Sequence, residues 1–165
     1  MSPFFAGAVS ARLLGEVASP EYKNKVESDP NLPRIQAAFA MAQKNLKALR
    51  DAGVQIAMGT DSGALPTRIP GWAEHHELEL MVHAGLSPME ALVAATRKSA
   101  AVLGSVDRGT LQAAKRADFI ILAANPLDDI RNTRQIVSIW HNGFEIKPRS
   151  AASIGCPARS NGAGS

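Results

Sequence analysis

Cysteine, aromatic side chains and long apolar runs are all scarce in this sequence. The chain has 165 residues, of which 1 is cysteine and 5% are aromatic. A single cysteine, Cys156, excludes a disulfide framework or a cysteine-based metal site within one chain. No apolar run approaches the roughly 18 residues that a membrane helix needs, and the start MSPFFAGAVSARLL lacks the basic region of a signal peptide. These absences predict a soluble, cytoplasmic protein without a membrane partner.

An excess of charge of one sign is also lacking. The 18 Lys and Arg residues are interspersed with 15 Asp and Glu residues, which gives a net charge of +3. A nucleic-acid site needs basic residues clustered on one face, usually with aromatic or groove-reading elements beside them. We therefore predict no nucleic-acid partner. The hydrophobic fraction of 45% is typical of a globular domain with a core of useful size.

Helical periodicity is present in the first two thirds of the chain. Apolar residues at spacings of three and four predict an amphipathic helix from Ile35 to Leu49, which Gly53 ends. A second helix is predicted from about Trp72. The third runs from Ser87 to Gly104, because its serine, proline and glutamate form a capping signal. A brief helix is also predicted after Ser19, which precedes a proline.

Short apolar runs predict strands. Residues 54–58 follow a helix through a tight loop and read as a buried strand of a parallel sheet covered by helices. Residues 118–122 and 135–141 predict two later strands. Asn142-Gly143 then predicts a hairpin turn that returns through residues 144–146, since this pair tolerates positive φ at both central positions.

The stretch QIAMGTDSGA places a carboxylate at the end of the first predicted strand. Asp61 is flanked by Thr60 and Ser62, and glycines on either side let the backbone turn sharply. Barrels and open α/β sheets place their chemistry just past the C-terminal ends of parallel strands. The same pattern also suits a turn residue whose carboxylate accepts backbone N–H groups. The residues alone leave both interpretations open.

Three motifs carry a family resemblance. In order they are VQIAMGTDSGA, IPGWAEHHELELMVHAGLSPMEALVAATRKSAAVLG and DRGTLQAAKRADFIILAANPLDDIRNTRQIVSIWHNG. Together they closely resemble the C-terminal portion of the metal-dependent amidohydrolase superfamily, in its imidazolonepropionase- and dipeptidase-like branch. The resemblance runs from about residue 31 to about residue 146. It implies an α/β fold, in which this chain supplies the last strand and helices of a (β/α)8 TIM-type barrel and strands of a small β-sandwich.

The resemblance also implies a role for Asp61. Gly59-Thr60-Asp61 would end the eighth barrel strand, where the family's aspartate contacts a divalent metal, zinc or similar, and moves a proton from the attacking water to the leaving nitrogen. A metal lowers the pKa of its bound water to about 7, and a carboxylate within reach then acts as general base and acid. The intact protein is expected to be a hydrolase of C–N bonds in small-molecule amides, cyclic amides or dipeptides.

The family's other metal ligands have no match in this sequence. They are a His-x-His pair, a carboxylated lysine or a glutamate in mid-barrel, and two single histidines, whereas the 4 histidines here are His75, His76, His83 and His141. A complete barrel also takes about 250 residues. We therefore expect a truncated fragment or one half of a split enzyme, which alone is inactive and holds no metal stably. The alternative is a non-catalytic interaction module that completes the barrel of a separately encoded partner or self-associates through exposed strand edges.

Two further residues are candidate substrate-binding groups. His75 lies on the apolar stripe of its helix and would either reach substrate at the barrel mouth or be a hydrogen-bonded core histidine. Arg68 follows Asp61 in the same loop and would either meet an anionic substrate group or remain solvated. His76 and His83 are expected on the more polar, solvated face. The acids Glu74, Glu77 and Glu79 are expected to be solvent-exposed near the start of the helix, where negative charge interacts favourably with the helix dipole.

The sequence divides into three parts. Residues 1–104 are predicted to be a partial barrel segment, and residues 105–147 to supply the strands of the β-sandwich. Residues 148–165 are small and polar and predict a disordered tail.

Overall fold

The structure is a computed structural model that describes residues 11–65 and 68–147. The predicted disordered tail, with Cys156, lies outside the described residues, as do residues 1–10 and 66–67.

Helices form most of the first two thirds of the described chain. They are α1 (Ala11–Ala18), α2 (Pro20–Glu27), α3 (Leu32–Asp51), α4 (Trp72–His83) and α5 (Pro88–Val93), which continues through a π-helical turn (Ala94–Lys98) into α6 (Ser99–Val102). The helices predicted from the sequence are therefore confirmed.

Two of the helices begin at side-chain caps that the sequence predicts. At α2 the Ser19 hydroxyl accepts the Tyr22 amide at 3.1 Å. At α5 the Ser87 hydroxyl accepts the Glu90 amide at 3.2 Å, while the Glu90 carboxylate accepts the Ser87 amide at 2.7 Å. This reciprocal capping box satisfies amides that would otherwise lack a partner in the first turn.

The π-helical turn has a direct structural consequence. Because the turn is wider than an α-helical turn, the Ala94 carbonyl is open to additional partners. It accepts the Met58 amide at 3.2 Å and the Ser99 hydroxyl at 2.7 Å. The turn thereby attaches the segment that precedes Asp61 to the helix formed by α5 and α6.

Three strands form an antiparallel sheet in the order β1 (Phe119–Leu122), β2 (Ile136–His141) and β3 (Phe144–Ile146). A 3-10 helix (Ile130–Arg134) lies between β1 and β2. The hairpin turn has φ values of 53° at Asn142 and 80° at Gly143, as the Asn-Gly pair predicts. The strands predicted at residues 118–122, 135–141 and 144–146 are confirmed, and in the described part of the chain they form one antiparallel sheet.

The predicted strand at residues 54–58 is wrong for this structure. These residues have no strand assignment, and in the described chain no strand pairs with them. A parallel strand needs a neighbouring strand for its backbone hydrogen bonds, and the three strands that are present pair with one another. The segment nevertheless packs inward, because Ile56 and Met58 lie against the core.

The core is small and lies around α4 and α5. Its buried residues are Leu78, Met81, Leu86, Ala91, Ala94 and Ile130. In contrast, α3 contributes no fully buried residue, although Leu46 packs partly against the core. The remainder of its predicted apolar stripe stays open to solvent, with Ile35 55% and Phe39 48% exposed.

Gly109 lies in the turn before the sheet, and at this residue the turn packs closely on the π-helical turn and the start of α6. Gly109 has a φ of 86°, in the left-handed region. A Cβ atom at this position would lie 2.7 Å from the Ala100 Cβ and 3.0 Å from the Thr96 carbonyl oxygen. Glycine is therefore required here both by the backbone conformation and by the close approach.

Candidate functional site

Asp61 lies where the irregular segment after α3 turns into the loop that leads to α4. Its φ is 51°, a left-handed conformation that Asp and Asn adopt more readily than most residues. The carboxylate forms an ion pair with the Arg68 guanidinium, and the two side chains are 74% and 45% exposed. The loop is closed by the Gly63 amide, which donates to the Arg68 carbonyl at 2.8 Å. The structure thus brings together two of the three predicted site residues.

Glu74 is a site residue that the sequence prediction missed. Its Oε1 accepts the Thr60 hydroxyl at 3.1 Å and the Ser62 hydroxyl at 2.6 Å. Its Oε2 accepts the Gly71 amide at 2.6 Å, at the start of α4. Glu74 therefore ties the residues on both sides of Asp61 to the first turn of α4.

These hydrogen bonds stabilise the ionised form of Glu74. Partial burial by itself would raise the pKa of the carboxyl, but the hydrogen bonds from Ser62, Gly71 and Thr60 outweigh it and hold the pKa below its ordinary value. Glu74 is therefore ionised at neutral pH, and its two oxygens act purely as acceptors.

The other two acids of α4 also differ from the expectation of an exposed helix start. Glu79 pairs with Arg134, and both side chains are mostly buried, at 22% and 23% exposed. The Arg134 guanidinium also lies 4.0 Å from the centre of the Trp72 ring. Burial raises the pKa of Glu77, although the nearby His76 acts in the opposite direction. The face of α4 that carries Glu79 packs against the 3-10 helix, so Glu79 is a structural partner of Arg134.

The His75 ring contacts the 3-10 helix. Its Nδ1 lies 2.9 Å from the Thr133 hydroxyl, which itself donates to the Ile130 carbonyl at 2.9 Å. The Thr133 hydroxyl has one proton, and it donates that proton to the Ile130 carbonyl. In its contact with His75 the hydroxyl can therefore only accept, so Nδ1 of His75 is the protonated nitrogen. Burial lowers the pKa of His75, and Arg134 lowers it further, while Glu74 partly opposes them. The geometry matches a hydrogen-bonded interior histidine.

We expect the stability of the protein to fall on acidification because of His75. Its folded-state pKa lies below the ordinary value of 6.5, so the unfolded chain binds the proton first and stability is lost as pH drops below about that value. The slope is less than the roughly 1.4 kcal/mol per pH unit that one full proton gives. Urea unfolding at pH 7.5 and at pH 5.5 measures this change in the free energy of unfolding. His75→Gln should flatten the pH dependence, whereas His83→Gln, an exposed histidine on the same helix, should not; equal effects would contradict the assignment.

His76 and His83 are exposed, as expected. They line an open cavity of about 520 Å³ between α3, α4 and the 3-10 helix, to which Phe39 and Ile130 contribute apolar surface. Asp61 does not line this cavity.

The residues present can be compared with what a divalent metal requires. A catalytic site takes about three protein ligands. Across residues 11–65 and 68–147 no group of three or more His, Cys, Asp or Glu side chains is arranged to hold an ion. Separately, none of the described helices is both long and apolar enough to cross a bilayer.

The fold of the chain is similar to that of solved structures. The chain superposes on a putative prolidase from Bifidobacterium longum with a TM-score of 0.58 and 40% sequence identity, over 65% of this chain and 27% of that chain. A family profile described as amidohydrolase family matches residues 15–143. The chain belongs to the amidohydrolase family.

Two named relatives are similar to the chain. The imidazolonepropionase of Deinococcus deserti is 33% identical over 119 residues, which are 70% of this chain and 29% of that protein. The ochratoxinase of Aspergillus niger is 33% identical over 129 residues, which are 73% of this chain and 26% of that protein. The chain therefore spans less than a third of the length of these relatives.

Proposed function

We propose that this chain forms the C-terminal part of a metal-dependent amidohydrolase that cleaves the C–N bond of a small amide, cyclic amide or dipeptide. The observation that carries the proposal is the placement of Asp61. Its carboxylate is exposed, its backbone is left-handed, and Glu74 ties the residues on both sides of it. A fixed backbone under an accessible carboxylate suits a group that must meet a reacting atom.

In this proposal Asp61 acts as the proton carrier and as one metal ligand. A divalent metal, when bound, supplies a water of lowered pKa. The Asp61 carboxylate accepts a proton from the attacking water and passes it to the leaving nitrogen, which would otherwise depart as a poor anionic leaving group. The other ligands of such a metal would have to come from other strands of the barrel.

Arg68 is proposed to have two partners. In the present structure its guanidinium neutralises Asp61. If the Asp61 carboxylate bound a metal, the guanidinium would be free to bind an anionic group, such as the carboxylate of a dipeptide. His75, in contrast, is proposed to support α4 through Thr133 and not to touch substrate, because its ring is engaged with the 3-10 helix.

A chimera tests the proposal. Residues 32–147 replace the corresponding C-terminal segment of the Deinococcus deserti imidazolonepropionase, and turnover of the parent's own substrate is measured. We expect activity within about 100-fold of the parent, since misplacement of a catalytic group by about 1 Å costs on that order. Chelation of the metal should abolish the activity and re-addition of zinc should restore it. A chimera that folds and binds metal but shows no turnover would contradict the proposed function.

A further inference from the structure

We propose that Glu74 is a positioning residue for Asp61, and this inference rests on the proposed function. The sequence marks Glu74 only as an acid in the first turn of a helix. In the structure it is the residue through which α4 holds the two neighbours of Asp61.

The two oxygens of Glu74 perform different tasks. Oε2 accepts the Gly71 amide and so caps α4, while Oε1 accepts both hydroxyls of the Asp61 loop. Thr60 adds a further link, because its Oγ1 also accepts the Ser62 amide at 3.2 Å. Asp61 thus lies between two residues that share one anchor.

Comparison with α5 separates positioning from helix capping. Glu90 occupies the equivalent position in the first turn of α5, and its Oε2 accepts both the amide and the hydroxyl of Ser87. These bonds all lie within the capping box of its own helix. Glu74 instead uses one oxygen for its helix and the other for residues 12 and 14 positions earlier in the chain. Capping alone does not require that second set of contacts.

Ionised Glu74 suits this role for a chemical reason. A carboxylate presents two oxygens that can each accept more than one hydrogen bond. The three donors here are two hydroxyls and one amide, which a carboxylate satisfies simultaneously. An amide side chain offers one oxygen and would turn its NH₂ group toward at least one of these donors. The fixed loop then keeps Asp61 in its left-handed conformation.

Glu74→Gln and Glu90→Gln form a matched pair for the test, in the full chain and in the imidazolonepropionase chimera. In the full chain, NMR measures amide hydrogen exchange and the Cα and Cβ chemical shifts of Asp61. We expect Glu74→Gln to raise exchange at Ser62 by about tenfold, the order expected for loss of one hydrogen bond, and to shift the Asp61 signals. Glu90→Gln should raise exchange at Ser87 and leave the Asp61 signals unchanged.

In the chimera, Glu74→Gln should lower kcat about tenfold with KM unchanged. Glu90→Gln should change neither kcat nor KM.

Equal effects of the two variants on Asp61, or an unchanged kcat in Glu74→Gln, would overturn the inference. If Glu74→Gln fails to fold, the double variant Thr60→Val with Ser62→Ala removes the loop donors and leaves the helix cap intact. It should reproduce the Asp61 shifts, and Thr60→Ser should not. The NMR measurements do not depend on turnover. If the chimera is inactive but Glu74→Gln still shifts the Asp61 signals, the proposed function is contradicted. If the chimera is active but Glu74→Gln leaves the Asp61 signals unchanged, only the positioning role is contradicted.

Discussion

Asp61→Asn is expected to lower kcat of the imidazolonepropionase chimera by about 10²- to 10⁴-fold, the range that general acid–base groups contribute. Asparagine has the same size as aspartate and tolerates left-handed backbone well. The substitution therefore keeps the φ of 51° at this position and removes only the charge and the ability to carry a proton. Folding of the variant should be close to that of the parent chimera.

The measurement has two parts. Steady-state kinetics give kcat and KM, and urea unfolding confirms that the variant is folded. Asp128→Asn is the matched control, because Asp128 is an exposed aspartate in a turn and should leave kcat unchanged when substituted. Turnover of Asp61→Asn at the parent rate would remove Asp61 from the proposed reaction.

Gly109→Ala is expected to lower the free energy of unfolding by about 2–5 kcal/mol, which combines left-handed backbone strain with overpacking. The added Cβ would meet the Ala100 Cβ at 2.7 Å and backbone atoms of the π-helical turn at 3.0 and 3.1 Å. Backbone atoms in a helix cannot move aside as a flexible side chain can. The turn before the sheet must therefore separate from the helix, or the helix must distort.

Gly104→Ala provides the control for this prediction. Gly104 also has a left-handed φ, of 67°, but no atom lies within 4 Å of the position of its added Cβ. Its substitution should cost only the backbone strain, about 1–2 kcal/mol. Chemical denaturation of both variants of the full chain separates strain from steric overlap. Equal losses would mean that the close contact at Gly109 is not maintained in solution.

Features set by neighbouring residues were predictable from the sequence. The capping box of Ser87 and Glu90 spans one helical turn, and the Asn142-Gly143 hairpin depends on two adjacent residues, so both can be recognised from residue types alone. Asp61 was also predictable as a candidate, because a strand-like apolar run followed by a carboxylate between glycines is a local pattern.

Features that depend on distant partners were not predictable in the same way. Residues 54–58 have the composition of a buried strand, but composition does not supply the neighbouring strand that pairing needs. The role of Glu74 depends on hydroxyls 12 and 14 residues away, and an acid near a helix start is usually explained by the helix dipole alone. Nothing in the sequence of Ala94–Lys98 marks the widened turn, since its residues are compatible with an ordinary α-helix.

That widened turn makes the length of the helix as important as its composition. Deleting one residue from the turn would restore α-helical spacing and shift the residues after the turn relative to those before it. Ala100 would then leave Gly109, and the Ala94 carbonyl would be reclaimed by its own helix and lost to Met58. Substitutions in this stretch change one contact at a time, whereas a deletion would disconnect the sheet on one side and the Asp61 segment on the other. Insertions and deletions should accordingly be far less tolerated here than side-chain changes.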